Sequence, residues 1–325
     1  MISAYKVVDG LLHKLDCSHD GAGLADATWI DLLEPTKAQE DLVEALLKLD
    51  IPTREEMRSI DESSQIYHEN GALVMSARVI TKADSPKIRL VTVTFILVQN
   101  RLITLRYGDP TPFRTFVARA EKEVGKLVSG EAVMVGLLEA IVDRAAEILQ
   151  SVGDELEALS NDIFARDGSV GSGGDRGDLR PVLQKVGRNG DLATRVRESL
   201  HTLARLLPYL QADSRGATDD IPARLAATKR DIHSLLDHDN YLMSNVTFLL
   251  DATLGLINIQ QNAIIKIFSV AAVIFLPPTL IASIFGMNFE HMPELHWEFG
   301  YPMAVVLMVV SAILPYYYFK RRGWL

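Results

Sequence analysis

Apolar positions change their spacing along the chain, and each change marks a different kind of element. Residues 71–80 ("GALVMSARVI") and 88–107 ("IRLVTVTFILVQNRLITLRY") have the β-branched alternation of strands. Residues 35–50 ("PTKAQEDLVEALLKLD") predict an amphipathic helix after Pro35. Residues 1–130 therefore read as a mixed α/β domain. In residues 131–164 the apolar positions Met134, Leu138, Ile141, Ala145, Ile148, Val152, Leu156, Leu159 and Ile163 recur at threes and fours, which predicts a long amphipathic helix. "RDGSVGSGGDRGDLR" breaks it with a Gly/Ser turn, and a second helix follows from about Arg180 to Leu210. Together these form a helical pair over 131–215.

A third pattern starts at residue 219. Asp219 or Asp220 can cap a helix with Pro222 in its first turn. From there to Gly286 the only breaker is Pro277-Pro278. The apolar pattern resumes at once behind it, so the pair should bend the helix and not end it. A continuous helix over 219–287 would be roughly 100 Å long. Residues 267–289 and 299–319 carry no charge, and each run is long enough for the about 20 apolar residues that cross a bilayer. Two spans are expected, the second over 301–319, joined by an outer loop over 288–300.

Charge sets the orientation. Lys266 precedes the first span and Lys320, Arg321 and Arg322 follow the second, in a short basic tail over 320–325, while the loop between holds no Lys or Arg. The positive-inside rule puts both termini in the cytoplasm. The N-terminus has no apolar stretch of signal-peptide type, because Asp9, Lys14 and Asp16 interrupt it. The chain as a whole has 42 acidic and 33 basic residues, net −9, which argues against a nucleic-acid partner. The lone Cys17 excludes an internal disulfide and any multi-cysteine zinc site. Neither a G-x-G-x-x-G nor a P-loop is present, and no enzyme is expected.

One face of the long helix is unusual. Steps of four and three give Asp251, Gly255, Asn258, Asn262, Ile265, Ser269, Ala272, Leu276, Thr279, Ser283 and Gly286. A coiled-coil seam would put large aliphatics there. Here only Ile265 and Leu276 are large. Such a stripe faces either a closely packed partner helix or water. In the second case Ile265 and Leu276 are apolar constrictions. Two spans cannot enclose a pore, so a channel would need several copies around an axis. A peripheral enzyme anchored by a hairpin is the alternative, and a membrane-anchored interaction protein without transport is a further one.

Gly286-Met287-Asn288, followed by "FEHMPEL", resembles the signature of the CorA family of divalent-cation channels. The resemblance runs from about Arg230 to Leu325, through "NIQQNAIIKIFSV", "FLPPTLIASIFGMNFEHMPELHWEFGYP" and "YFKRRGWL", and is similar to the family's proteobacterial branch. It implies a funnel-shaped homopentamer in the bacterial inner membrane, with a large cytoplasmic α/β domain, a long stalk helix lining the pore and an outer second span. It implies uptake of Mg2+, often with Co2+ or Ni2+, and no cofactor beyond Mg2+ as cargo and regulatory ligand. A sister branch carries Zn2+ and usually lacks the MPEL loop.

The residues suit such an ion. Mg2+ holds its waters tightly, so a ring of neutral amides at Asn288, beside the free carbonyls of a helix end at Gly286, can bind the hydrated ion without trapping it. Met287 is expected to pack against neighbouring loops. Glu290, Glu294 and Glu298 would raise the local cation concentration by their field. The resemblance also implies closure by cytoplasmic Mg2+ bridging acids between subunits, but no motif fixes which ones. Asp84, Asp231, Asp237, Asp239 and Asp251 are candidates, each with the alternative of being an ordinary solvated carboxylate.

Overall fold

The computed structural model describes residues 1–16, 22–58, 65–83, 88–122, 127–167, 179–213, 220–287 and 297–322. The chain divides into two compact units, Met1–Leu250 and Asp251–Leu325.

The first unit is built on a seven-stranded sheet. Its strands are β1 (Ile2–Val8), β2 (Leu11–Leu15), β3 (Trp29–Leu33), β4 (Ile66–Glu69), β5 (Ala72–Thr81), β6 (Arg89–Val98) and β7 (Arg101–Arg106), in the order β2-β1-β3-β7-β6-β5-β4. Only the β3–β7 pair is parallel; all other neighbours are antiparallel. The β1–β2 hairpin turns on Asp9 and Gly10, both with positive φ (51° and 78°), the geometry that an Asp-Gly pair favours.

Alternation along the strands gives the sheet two buried faces. On one, Ile30, Leu32, Ile96, Ile103 and Leu105 pack with Leu24 of α1 (Ala22–Ala25) and Val43 of α2 (Lys37–Leu47). The capping box at Thr36 and Gln39 starts α2. On the other, Trp29 stacks on Tyr5 and meets Phe113 and Phe116 of α3 (Thr111–Ala120). A buried ion pair crosses this second face. Arg106 donates to Asp31 from Nε (3.0 Å) and Nη2 (2.8 Å). Thr104 donates to the same carboxylate at 2.6 Å and accepts from Trp29 Nε1 at 3.0 Å. Burial works to lower the pKa of the Arg106 guanidinium, but the hydrogen bonds and charges of Asp31 and Asp109 outweigh it and leave it raised.

Two long helices follow, α4 (Gly130–Asp167) and α5 (Arg180–Asp213), and they pack on each other. Gly130 starts α4 hard against β7. A Cβ there would lie 2.5 Å from the Arg101 carbonyl carbon, so no other residue fits. The long helix α6 (Asp220–Phe285) has 66 residues and runs unbroken through Pro277 and Pro278. Its first part is held to the helical pair by polar contacts. Arg224 grips Glu139 of α4 with two bonds, 2.9 and 2.7 Å. Further along, Phe248 stacks on Phe164 of α4 at 6.1 Å.

The second unit holds the rest of α6 and α7 (Gly300–Arg321). Both helices are long and apolar enough to cross a membrane, and only 6% of the most apolar window of each is buried. Core helices of a soluble protein would be covered. An α/β domain, one long helix and two C-terminal apolar helices are thus the architecture that the hydropathy pattern predicts.

Candidate ion pathway

Every residue of the stripe, from Asp251 and Gly255 to Ser283 and Gly286, is exposed in the single chain. The covered side of α6 lies elsewhere. Thr253 and Val270 are buried there, and Ile274, Pro277, Pro278, Ile281 and Phe285 are half-buried. Both prolines therefore sit off the stripe. The two large stripe residues, Ile265 and Leu276, are 61% and 65% exposed.

Two of the stripe's three hydroxyls are oriented by the helix itself. Ser269 donates to the carbonyl of Ile265 at 2.8 Å, and Thr279 to that of Phe275 at 2.7 Å. Each proton is spent on the backbone, so each oxygen turns lone pairs outward. That is the polarity that the waters around a cation need. At the end of α6, Gly286 donates to the Ala282 carbonyl at 3.0 Å, and a Cβ on it would come within 3.1 Å of that oxygen. A glycine lets the helix close its last turn there. Met287 donates in turn to the Ile284 carbonyl at 3.3 Å, and the last carbonyls of a helix carry the negative end of its dipole. Met287 is exposed, as is Glu298 in the turn before α7. Asn288, Glu290 and Glu294 lie outside the described residues, as does Asp84.

The acidic candidates on α6 separate into two kinds. Asp231, Asp237 and Asp251 are exposed. Asp239, the other candidate on this helix, is held differently. Its side chain is fully buried, and Oδ2 accepts from Arg197 Nε of α5 at 2.5 Å. Burial raises its pKa, while the Arg197 hydrogen bond and charge and the His238 and His201 fields oppose the shift. It ties α5 to α6 within one chain. No three His, Cys, Asp or Glu side chains among the described residues are placed to hold a metal.

Three features of the first unit escape motif reading. The Asp31–Arg106 pair is one; its sign is a charge within each of two apolar strands. Asp143 of α4 is another: burial pushes its carboxyl up, Arg119 opposes this, and Glu139, Glu147 and Asp231 add to it. The third is Asp239, which stands in the buried row Ile232, Leu242, Val246 and Leu249 of α6, where an apolar residue belongs.

A membrane protein with a folded α/β domain whose long helix continues into one of two C-terminal spans is the class this geometry defines. The model of the CorA-like Mg2+ transporter protein family matches residues 25–321, and the chain belongs to that family. A magnesium transport protein CorA of Yersinia pseudotuberculosis is 36% identical over the full length of both chains. One from Salmonella typhimurium is 35% identical, again over all of both. Among solved structures, the CorA magnesium transporter of Methanocaldococcus jannaschii superposes with a TM-score of 0.74 over 100% of this chain and 99% of its own. At 21% identity that likeness speaks to the fold alone.

Proposed function

We propose that this protein is a divalent-cation channel that carries Mg2+ into the cell down its electrochemical gradient. The carrying observation is the stripe of α6: eleven consecutive four-and-three positions, nearly all small or polar, all exposed in a helix apolar enough to span a membrane. A single chain has no use for such a face. Copies arranged around an axis, five by family resemblance, would turn it inward as a wet path. The protein then sits in the inner membrane with both termini cytoplasmic. The amide of Asn288 and the free carbonyls near Gly286 select the hydrated ion at the outer mouth. Glu290, Glu294 and Glu298 concentrate cations above it. Co2+ and Ni2+ follow the same route. Purified protein in liposomes tests the reading: Mg2+ uptake should exceed Zn2+ uptake and should fall sharply in Asn288→Ala. Zn2+ carried in preference would make it a zinc transporter on this scaffold, and no flux of either would leave a membrane-anchored interaction protein.

Closure by cytoplasmic Mg2+ belongs to the same proposal. Carboxylates brought together around an axis repel one another, and a divalent ion between copies relieves that repulsion. Such a ligand closes the channel only by binding the closed state more tightly. Asp231, Asp237 and Asp251 are the residues for this role, together with Asp84. Changing them to Asn should raise the internal Mg2+ needed for closure and leave ion preference alone. An inhibition curve that does not move with all four changed would place the regulatory site elsewhere.

A further inference from the structure

The C-terminal turn of α7 gathers charge of one sign. From Gly300 to Leu325 the sequence has no Asp or Glu, and its only basic residues are Lys320, Arg321 and Arg322. Two of these cations are turned back along the helix. Lys320 Nζ lies 5.9 Å from the ring centre of Tyr316, and Arg322 Cζ lies 5.8 Å from that of Tyr318. Each reaches four residues towards the apolar part of α7, so its charge stays level with the tyrosines and does not extend into bulk water.

Burial shows which side of α7 is free. Gly300 and Ala304 are buried, and Met308, Pro315 and Phe319 continue that side half-covered. On the opposite side Val306, Val310, Leu314 and Tyr317 are exposed, Tyr317 by 66%. The same four-residue step leads to Arg321, which is exposed at the foot of this ladder. From Arg321 back to Val310 is about 17 Å of helix, close to half of the about 30 Å hydrocarbon core. That is the depth of one leaflet.

We infer that this face of α7 binds an anionic phospholipid of the cytoplasmic leaflet. Arg321 takes the phosphate, Lys320 and Arg322 flank it, and one acyl chain lies along Tyr317, Leu314 and Val310. The occupant follows from charge complementarity. Three cations on a helix that itself carries no Asp or Glu attract a headgroup of net negative charge and repel the ammonium of a zwitterionic one. Arginine also suits a phosphate better than a point charge does, because its fork offers two donors at once. The inference rests on α7 spanning the membrane with its C-terminus in the cytoplasm.

The test uses the full chain in nanodiscs of equal phosphatidylethanolamine and phosphatidylglycerol, with retained lipid identified by native mass spectrometry. Phosphatidylglycerol should be retained about tenfold over its share, and Arg321→Gln should cut that enrichment about fivefold. Arg321→Lys should restore part of it, and excess glycerol 3-phosphate should not displace the lipid. Equal retention of both lipids, or enrichment unchanged in Arg321→Gln, overturns the site. So does efficient cross-linking of Leu314→Cys between copies, since a second chain would then cover the ladder. Mg2+ uptake by the same protein in liposomes keeps the two readings apart. Lost uptake with lipid enrichment intact counts against transport alone, and intact uptake without enrichment counts against the lipid site alone.

Discussion

Arg106→Ala should unfold or nearly unfold the α/β domain. The side chains of Asp31 and Arg106 are 8% and 7% exposed, and removing the guanidinium leaves the carboxylate buried with, among the described side chains, the Thr104 hydroxyl alone donating to it. Breaking a buried pair in this way costs about 3–5 kcal/mol. A domain has only about 5–15 kcal/mol in total. The loss would spread, because Arg106 also donates to the Gly108 carbonyl (3.0 Å) and to Asp109 (2.7 Å), and its guanidinium packs over the Phe113 ring at 4.6 Å. Those contacts fix the turn from β7 into α3. Trp29 is buried beside the pair and reports on it, so urea unfolding followed by tryptophan fluorescence is the measurement. Asp31→Leu combined with Arg106→Met removes both charges at similar volume and should recover most of the midpoint. An unchanged midpoint in Arg106→Ala would mean that the pair carries no net stability.

That ion pair also shows where sequence reading stops. The strands themselves are legible, because β5, β6 and β7 match the two β-branched stretches to within a residue at each end. What cannot be read locally is that β3 and β7 lie side by side, which brings together residues 75 apart. A charge in an apolar strand announces that a partner exists but does not name it. The N-terminal hairpin is different. Its Asp9-Gly10 turn is a strong local signal, yet β1 and β2 mix charged and apolar residues, as strands at the end of a sheet do, and hydropathy alone passes over them. The long helix is legible throughout because its period never lapses. The same period marks Asp239 as an inward position, and its acidity alone suggests the opposite. The stripe is legible for a further reason. Small and polar residues at three-and-four spacing in a membrane helix call for a closely packed partner helix or for water.

The second large effect is expected at Leu276. Replacing it with Ser should open a leak through the closed channel. Leu276 is exposed in the single chain, between Ala272 and Thr279 on the same face, so copies around an axis would bring a ring of leucines together where the neighbours are small or polar. Water leaves such a ring because the leucines offer it no hydrogen bonds, and an ion cannot pass without its water. A ring of hydroxyls readmits the water and lowers the barrier. A reduction of about 1.4–2.7 kcal/mol corresponds to a leak about 10 to 100 times faster. The fold has little at stake, since the side chain is exposed and the adjacent Pro277 faces the half-buried side. The leak is measured as Mg2+ flux through proteoliposomes loaded with high internal Mg2+, where the wild type is closed. Leu276→Ile keeps the ring apolar and should stay shut. If Leu276→Ser conducts no more than the wild type, Leu276 does not face the axis and the constriction must be sought at Ile265, the other large residue of the stripe.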